Sequence, residues 1–112
     1  MDENKLEQLF RFLDMAPDDP FSLYSIAFEY YKAGHREEAL KYFLRLRKEH
    51  PSYIGTYYHL GKLWEQLDNF EKAIETYETG ISVAKSLKDL HSLGELQRAM
   101  QQARDEYEED YL

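Results

Sequence analysis

Apolar residues along this chain recur three or four positions apart, the spacing that places side chains on one face of an α-helix. The first such stripe comprises Leu6, Leu9, Phe10, Phe12 and Leu13. Five further stretches are also interpreted as helices. We therefore predict six helices and no strand, over residues 3–15, 20–33, 36–49, 52–67, 70–87 and 89–107.

Proline, glycine and Asp-Asn breaks separate these helices. Pro20 suits the first turn of a helix, where its missing N–H has no partner to lose, and Asp18 or Asp19 can cap that helix. Gly34 is placed for the left-handed residue that ends a helix. The turns between paired helices hold only two or three residues, so neighbouring helices must pack antiparallel.

A repeat of 34 residues runs through the middle of the chain. Small residues correspond to small ones, and large apolar residues to large apolar ones. The matching pairs are Leu23 with Tyr57, Ala27 with Gly61, Tyr30 with Trp64, Ala39 with Ala73, and Phe43 with Tyr77. A fixed period of this length is typical of stacked helical hairpins, each of which needs its neighbour to cover its apolar face. Such arrays present surfaces to other proteins and rarely carry chemistry.

The first helix aligns with the second half of a repeat. With the same shift of 34, Leu9 corresponds to Phe43 and Phe12 to Leu46. The chain therefore begins with a half repeat over residues 3–17. We expect this helix to cover the apolar face of the next two helices through Leu6, Leu9, Phe12 and Leu13.

The last helix follows the repeat only after one residue is deleted from the period. In that register Leu90 corresponds to Leu23 and Tyr57, and Gln97 replaces the large aromatic Tyr30. The exposed side of this helix is polar. A terminal helix with a polar outer face keeps an open stack soluble, so we predict a capping helix.

Composition favours one small helical domain. The chain has 112 residues, 43% hydrophobic, with no cysteine and a net charge of −8. Acidic proteins repel the phosphate backbone, so nucleic acid is excluded as an expected partner. No apolar run approaches the roughly 18 residues that a membrane-spanning helix needs, and we find no export signal. We therefore expect a cytoplasmic protein without membrane contact.

Residues that carry chemistry are not grouped. The four histidines, His35, His50, His59 and His91, show no pair spaced three or four apart, so no helix offers a two-histidine metal face. There is neither a glycine-rich phosphate loop nor a nucleophile elbow. We predict no enzymatic activity, no catalytic residue, no metal and no cofactor.

The two full repeats carry a shared set of positions. The first has Leu23, Ile26-Ala27, Tyr30, Gly34, Ala39, Phe43, Leu46 and Pro51; the second has Tyr57, Leu60-Gly61, Trp64, Phe70, Ala73, Tyr77 and Gly80. This pattern resembles the tetratricopeptide repeat (TPR) family. The resemblance implies an all-α fold, a right-handed superhelical stack of antiparallel hairpins. It also implies a single domain over residues 1–112, made of a half repeat (3–17), repeat 1 (20–51), repeat 2 (54–87), a capping helix (89–107) and an acidic tail (108–112).

In that family the first helix of each repeat lines a concave groove. The resemblance places Phe21, Tyr24, Phe28 and Tyr31 there from repeat 1, and Gly55, Tyr58, Lys62 and Glu65 from repeat 2. Exposed aromatic clusters are a common sign of a binding surface. The predicted peptide-binding groove consists of Phe21, Tyr24, Phe28, Tyr31, Tyr58, Lys62 and His91. Alternatively, the N-terminal helix or the acidic tail covers these rings within the same molecule.

Two functions remain open at this stage. In the first, the chain is a non-catalytic interaction module that binds a peptide or helix of a protein partner in the aromatic groove. In the second, it is a structural protein that self-associates as a homodimer and buries the same rings. Some family members grip a C-terminal carboxylate with Lys, Asn and Arg. Here the corresponding residues are Tyr24, Phe28 and His59, so we do not predict capture of chaperone tails.

Overall fold

The computed structural model describes residues 2–110 and the side chains of residues 2–109. Six helices and no strand lie within these residues, which confirms the all-α prediction. They are α1 (Glu3–Met15), α2 (Pro20–Lys32), α3 (Arg36–Glu49), α4 (Gly55–Gln66), α5 (Phe70–Leu87) and α6 (Leu90–Asp110). None of the six combines the length and apolarity needed to cross a bilayer.

The helix ends match the sequence prediction to within one residue, with two exceptions. α4 begins at Gly55 rather than Ser52, because a turn intervenes in which the Tyr53 N–H donates to the His50 carbonyl at 3.0 Å. α6 runs to Asp110, so three of the five residues expected in an acidic tail are helical. Gly34 has φ +78°, the left-handed conformation predicted for the end of α2.

The described chain divides into two compact units, of which the first ends at Tyr53. In this unit α2 packs against both α1 and α3. Its core joins side chains from all three helices: Leu6, Leu13, Leu23, Ile26 and Leu46. Leu9, Phe10, Tyr24, Tyr30, Tyr42 and Tyr53 pack around this cluster while keeping part of their surface exposed.

The second unit begins at Ile54 and holds α4, α5 and α6. α5 packs against both α4 and α6. The core consists of Tyr57, Ala73, Tyr77, Ile81, Ala84, Leu96, Ala99 and Ala103. The small residues of α6 in this list allow that helix to approach α5 closely.

Burial repeats with the period that the sequence predicts. The buried residues of α2 are Ser22, Leu23, Ile26, Ala27 and Glu29, and those of α4 are Thr56, Tyr57, Leu60, Gly61 and Leu63. Each member of the second set lies 34 residues after its counterpart. The repeat register of these two helices is therefore correct.

The expectation for Phe12 is wrong, because its side chain is 59% exposed. α1 buries Leu6 and Leu13 instead. Phe12 corresponds to Leu46, which packs against α2, the first helix of its own repeat. Within the described residues α1 packs mainly against α2, so the stripe that α1 buries is the one facing α2.

The register predicted for α6 is also wrong, because Leu90 is 78% exposed. Asp89 accepts hydrogen bonds from the Ser92 N–H at 3.1 Å and the Ser92 hydroxyl at 2.7 Å. Asp19 accepts the same two hydrogen bonds from Ser22. This shared cap makes Leu93 the counterpart of Leu23. The period is thus lengthened by two residues before α6, not shortened by one.

Candidate functional site

The predicted groove residues fall in both compact units. Phe21, Tyr24, Phe28 and Tyr31 belong to α2 of the first unit, whereas Tyr58, Lys62 and His91 belong to the second. Their assembly into one continuous strip stays a prediction.

Three aromatic rings stack along one face of α2. The ring centroids of Tyr24 and Phe28 lie 5.9 Å apart with an interplanar angle of 12°. Those of Phe28 and Tyr31 lie 6.2 Å apart at 14°. Residues spaced three and four apart share a helix face, so the sequence spacing itself creates this aromatic ladder of Tyr24, Phe28 and Tyr31.

The aromatic ladder rests on two further rings of the first unit. The Phe43 ring lies 6.4 Å from both Tyr24 and Tyr31, and the Tyr53 ring lies 5.7 Å from Tyr24. As a result the ladder rings are half-buried, and burial raises the pKa of Tyr24. Phe21, one turn before the ladder, is 64% exposed. The face is therefore a supported aromatic surface rather than a set of loose side chains.

A groove of about 350 Å³ runs between α1 and α2 beside the ladder. Its apolar lining consists of Leu9, Phe21, Tyr24, Phe28 and Tyr53, and its polar lining consists of Lys5, Ser25, Glu29 and Lys32. We call this the α1–α2 groove. One end is aromatic, and the other carries charge.

The charged end is organised around a buried carboxylate. Lys5 Nζ and Lys32 Nζ lie 2.8 and 2.9 Å from the same oxygen, Glu29 Oε1, and the Glu29 side chain is 8% exposed. The hydrogen bond from Lys5 lowers the pKa of Glu29 most, and the hydrogen bond from Lys32 lowers it further. Burial opposes both effects, but the pKa stays below its ordinary value. Lys32 Nζ also lies 5.0 Å from the centre of the Phe28 ring, within the range of a cation–π interaction.

The sequence-based prediction missed this Lys5–Glu29–Lys32 cluster. Glu29 corresponds to Leu63 in the second repeat, which is fully buried. The sequence signal that could have revealed the cluster was a glutamate at an apolar position of the repeat. A buried carboxylate requires positively charged or hydrogen-bonding partners.

In the second unit, Tyr58 and Lys62 lie next to each other on α4. Lys62 Nζ is 5.6 Å from the centre of the Tyr58 ring and 3.7 Å from Glu65 Oε2. The buried hydroxyl of Tyr77 donates a hydrogen bond to the same oxygen of Glu65. Lys62 is thus held between an aromatic ring and a fixed carboxylate.

A second groove, of about 440 Å³, lies between α4 and α6. It is lined by Tyr58, His59, Glu95, Arg98, Ala99 and Gln102. Burial lowers the pKa of His59, although a backbone hydrogen bond at Gly55 partly opposes this effect. His91 is absent from the lining; its side chain is 82% exposed and lies 2.7 Å from Glu95.

Arg98 is a groove residue that the sequence register hid. In the register fixed by the Asp89 cap, Arg98 corresponds to Phe28 and Lys62, both predicted groove positions. The Asp-x-x-Ser-Leu pattern shared by residues 19–23 and 89–93 was the signal that could have revealed it.

Both grooves present side chains that can bind a ligand through stacking, charge and hydrogen bonds. They present aromatic faces, ammonium groups, a guanidinium and a histidine. Within the part of the chain that the structure describes, no three His, Cys, Asp or Glu side chains converge as a metal site would require. The arrangement suits non-covalent binding of a peptide-like ligand.

Comparison with known proteins places both repeats in one family. Tetratricopeptide repeat models match residues 21–53 and residues 54–87. No curated protein sequence matches the chain. Among solved structures, a tetratricopeptide repeat domain protein from Salinibacter ruber is 45% identical, with a TM-score of 0.74 over 77% of this chain and 97% of that one.

Two more distant structures share the fold. The TPR2B domain of yeast Sti1, solved in a complex with pHsp70, is 16% identical, with a TM-score of 0.85 over 92% of this chain and 82% of that one. The Sgt2 TPR domain from Aspergillus fumigatus is 22% identical, with a TM-score of 0.83 over 95% and 68%. The two family-model matches and the 45% identical protein from Salinibacter ruber show that the chain belongs to the tetratricopeptide repeat family.

Proposed function

We propose that this chain is a non-catalytic protein-interaction module that binds a peptide or helix of a protein partner on its aromatic face. The observation that carries the proposal is the stacked ladder of Tyr24, Phe28 and Tyr31, which lies outside the fully buried core and beside an open groove. Stacking against one another orders these rings before a ligand arrives. Binding then loses less side-chain entropy than it would with mobile rings.

The fold neighbours support the general part of this proposal. The Sti1 domain was solved with a protein ligand, so a domain of this fold can present a peptide-binding surface. We do not extend pHsp70 to this chain, because Tyr24 and Phe28 stand where the family resemblance places the polar residues that grip a C-terminal carboxylate. The remaining predicted residues, Tyr58, Lys62 and His91, belong to the proposal as contributors from the second unit.

The test is selection of short random peptides displayed on phage against the purified chain. Enriched peptides are then titrated against the chain and against the double variant Phe28→Ala with Tyr31→Ala. We expect the double variant to weaken binding by about thirtyfold or more, since losing an aromatic hot spot costs about 2 kcal/mol. Circular dichroism should show that its helicity is retained.

Phe12→Ala is the matched control. It removes a large aromatic ring from the first unit, as the double variant does, but the Phe12 ring is largely exposed and lies outside the α1–α2 groove. Binding by the control should equal that of the parent chain. Equal binding by the double variant as well would place the peptide on another surface and refute the proposal.

Self-association is the competing function, and sedimentation distinguishes it. A concentration-independent monomer that binds selected peptides supports the interaction module. A dimer that dissociates when Phe28 and Tyr31 are both changed to alanine would instead show that a second copy occupies the aromatic face.

A further inference from the structure

We propose that the Lys5–Glu29–Lys32 cluster gives the α1–α2 groove a direction, and that the groove takes a short acidic segment whose apolar side chain contacts Phe21, Tyr24 or Phe28 while its carboxylate binds the two lysines. This inference rests on the proposed function and specifies the chemistry of the ligand.

The charge balance at the cluster favours an anion. Two ammonium groups share one carboxylate oxygen, so these three side chains carry one surplus positive charge within a chain of net charge −8; the Asp2 carboxylate at the start of α1 also attracts Lys5. Each ammonium has three N–H donors, and the ion pair with Glu29 occupies one of them. The lysine side chains are 53% and 48% exposed, so their remaining donors can reach a ligand.

Glu29 fixes the position of this charge. Exposed lysine side chains are normally mobile, and ordering them on a ligand costs side-chain entropy. Here the buried carboxylate holds Lys32 from its own helix and Lys5 from α1 at one point beside Phe28. The counterparts of Glu29 in α4 and α6 are the buried apolar residues Leu63 and Ala99, which provide no such anchor.

Geometry sets the length of the ligand. Phe21 and Lys32 are separated by eleven positions of α2, which at 1.5 Å per residue is about 16 Å. An extended peptide covers that distance in about five residues. We therefore expect the apolar anchor and the acidic residue of the ligand to be about two to five positions apart, according to whether the anchor contacts Phe28, Tyr24 or Phe21.

The probes are fluorescein-labelled peptides of glycine and serine that carry one phenylalanine and one glutamate. Across the set, the glutamate precedes or follows the phenylalanine at each of the separations expected above. Every peptide has a twin in which glutamine replaces the glutamate. Fluorescence anisotropy should show the best glutamate peptide binding about five- to tenfold more tightly than its glutamine twin at low salt, because the lysines are half exposed and screened. Salt at molar concentration should reduce this ratio.

Lys32→Gln is the decisive variant. It removes one ammonium while leaving the Lys5–Glu29 ion pair that joins α1 to α2, so the fold is retained. The glutamate-to-glutamine affinity ratio should fall towards one. Lys32→Arg should preserve the ratio, and Lys48→Gln, which removes an exposed charge from α3 outside the groove, should leave it unchanged.

The outcomes separate this inference from the proposed function. Peptides that bind through Phe28 with a ratio near one would overturn the inference and leave the interaction module standing. A ratio that survives Lys32→Gln would place the carboxylate elsewhere and also overturn the inference. If no peptide in this set binds while phage-selected peptides still do, the inference is also overturned. If sedimentation shows a dimer that Lys32→Gln dissociates, the occupant is a second copy and the inference is wrong.

Discussion

The ring of Tyr77 lies directly on the backbone of Gly61. A β-carbon at position 61 would overlap this ring, so α4 and α5 can be this close only because residue 61 has no side chain. The reverse arrangement occurs one turn further along α5, where a β-carbon on Gly80 would lie 2.6 Å from the β-carbon of Tyr57. Two glycines and two tyrosines thus interlock the helices of the second repeat.

Gly61→Leu should destabilise the protein strongly for this reason. Inserting a side chain into a packed helix crossing costs about 1–3 kcal/mol or more, because neither the ring nor the backbone has room to move. Urea unfolding followed by circular dichroism would measure the loss. Ala27→Leu, at the equivalent and fully buried position of repeat 1, should behave alike.

Gly94→Ala is the control for this prediction. A β-carbon on Gly94 would meet only the end of the Arg98 side chain, at 3.3 Å, and that side chain can swing away. Alanine is favoured over glycine in a helix by about 1 kcal/mol, so this variant should be neutral or stabilising. If Gly61→Leu and Ala27→Leu unfold at the same urea concentration as the parent chain, these positions are not helix crossings.

The sequence predicted most of the fold because its signals were local and repeated. The period of 34 residues located the crossings at Ala27 and Gly61, and Pro20 and Gly34 marked the ends of α2. The errors in burial arose at the two ends of the array. Phe12 and Leu90 are apolar residues in periodic stretches, but their burial depends on whether a neighbouring helix covers them, which periodicity alone does not reveal.

The candidate site was only partly predictable for a related reason. Helical spacing alone places Tyr24, Phe28 and Tyr31 on one face, so the aromatic ladder followed from the sequence. The cluster around Glu29 requires Lys5, which lies on another helix and 24 positions earlier. No local pattern reports such a contact.

Leu13→Ala and Phe12→Ala form a pair that tests the orientation of α1. Leu13 is buried in the core of the first unit, so its truncation should cost about 2–5 kcal/mol. Phe12 is largely exposed, so its truncation should cost less than about 0.5 kcal/mol. Equal losses in thermal or urea unfolding would mean that α1 is rotated relative to the orientation described here.

Removal of residues 1–16 extends this test to the whole helix. α1 covers α2 with Leu6 and Leu13 and joins it through the Lys5–Glu29 ion pair. Its loss should expose the apolar face of α2 and cause aggregation, detectable by light scattering and size-exclusion chromatography. A truncated chain that stays monomeric with unchanged melting would show that α1 is dispensable for stability.

Glu29→Gln should weaken the protein at neutral pH and reduce its sensitivity to acid. The folded-state pKa of Glu29 is lowered, so its contribution to stability is present above the unfolded-state pKa and is lost as the pH falls through the folded-state value. The variant should therefore lose less of its unfolding free energy than the parent chain between about pH 6 and pH 3.

Urea unfolding at several pH values would measure this difference. Some acid dependence should remain, because hydrogen bonds from Ser22 and Ser92 lower the pKa values of Asp19 and Asp89. Glu106→Gln, at an exposed position of α6, is the matched control and should follow the parent curve. Parallel curves for Glu29→Gln and the parent chain would contradict the coupling of Glu29 to folding.

Thr56→Val tests whether the hydroxyl of Thr56 lacks a hydrogen bond that the equivalent serines of α2 and α6 make. Ser22 and Ser92 each donate a hydroxyl hydrogen bond of 2.7 Å to an aspartate three residues earlier. The residue three before Thr56 is Tyr53, and the buried Thr56 hydroxyl has no hydrogen-bond partner among residues 2–110. Valine has nearly the same shape and no hydroxyl, so the substitution should raise the unfolding free energy by about 1 kcal/mol.

Thr76→Val provides the comparison, since both threonines are fully buried. The Thr76 hydroxyl donates to the Lys72 carbonyl at 2.7 Å, so its removal discards a hydrogen bond that is already made. We expect this variant to equal the parent chain or to fall below it in urea unfolding. If Thr56→Val instead destabilises the chain as much as Thr76→Val does, the Thr56 hydroxyl is hydrogen-bonded in solution. In that case α4 does not need the aspartate cap that α2 and α6 use.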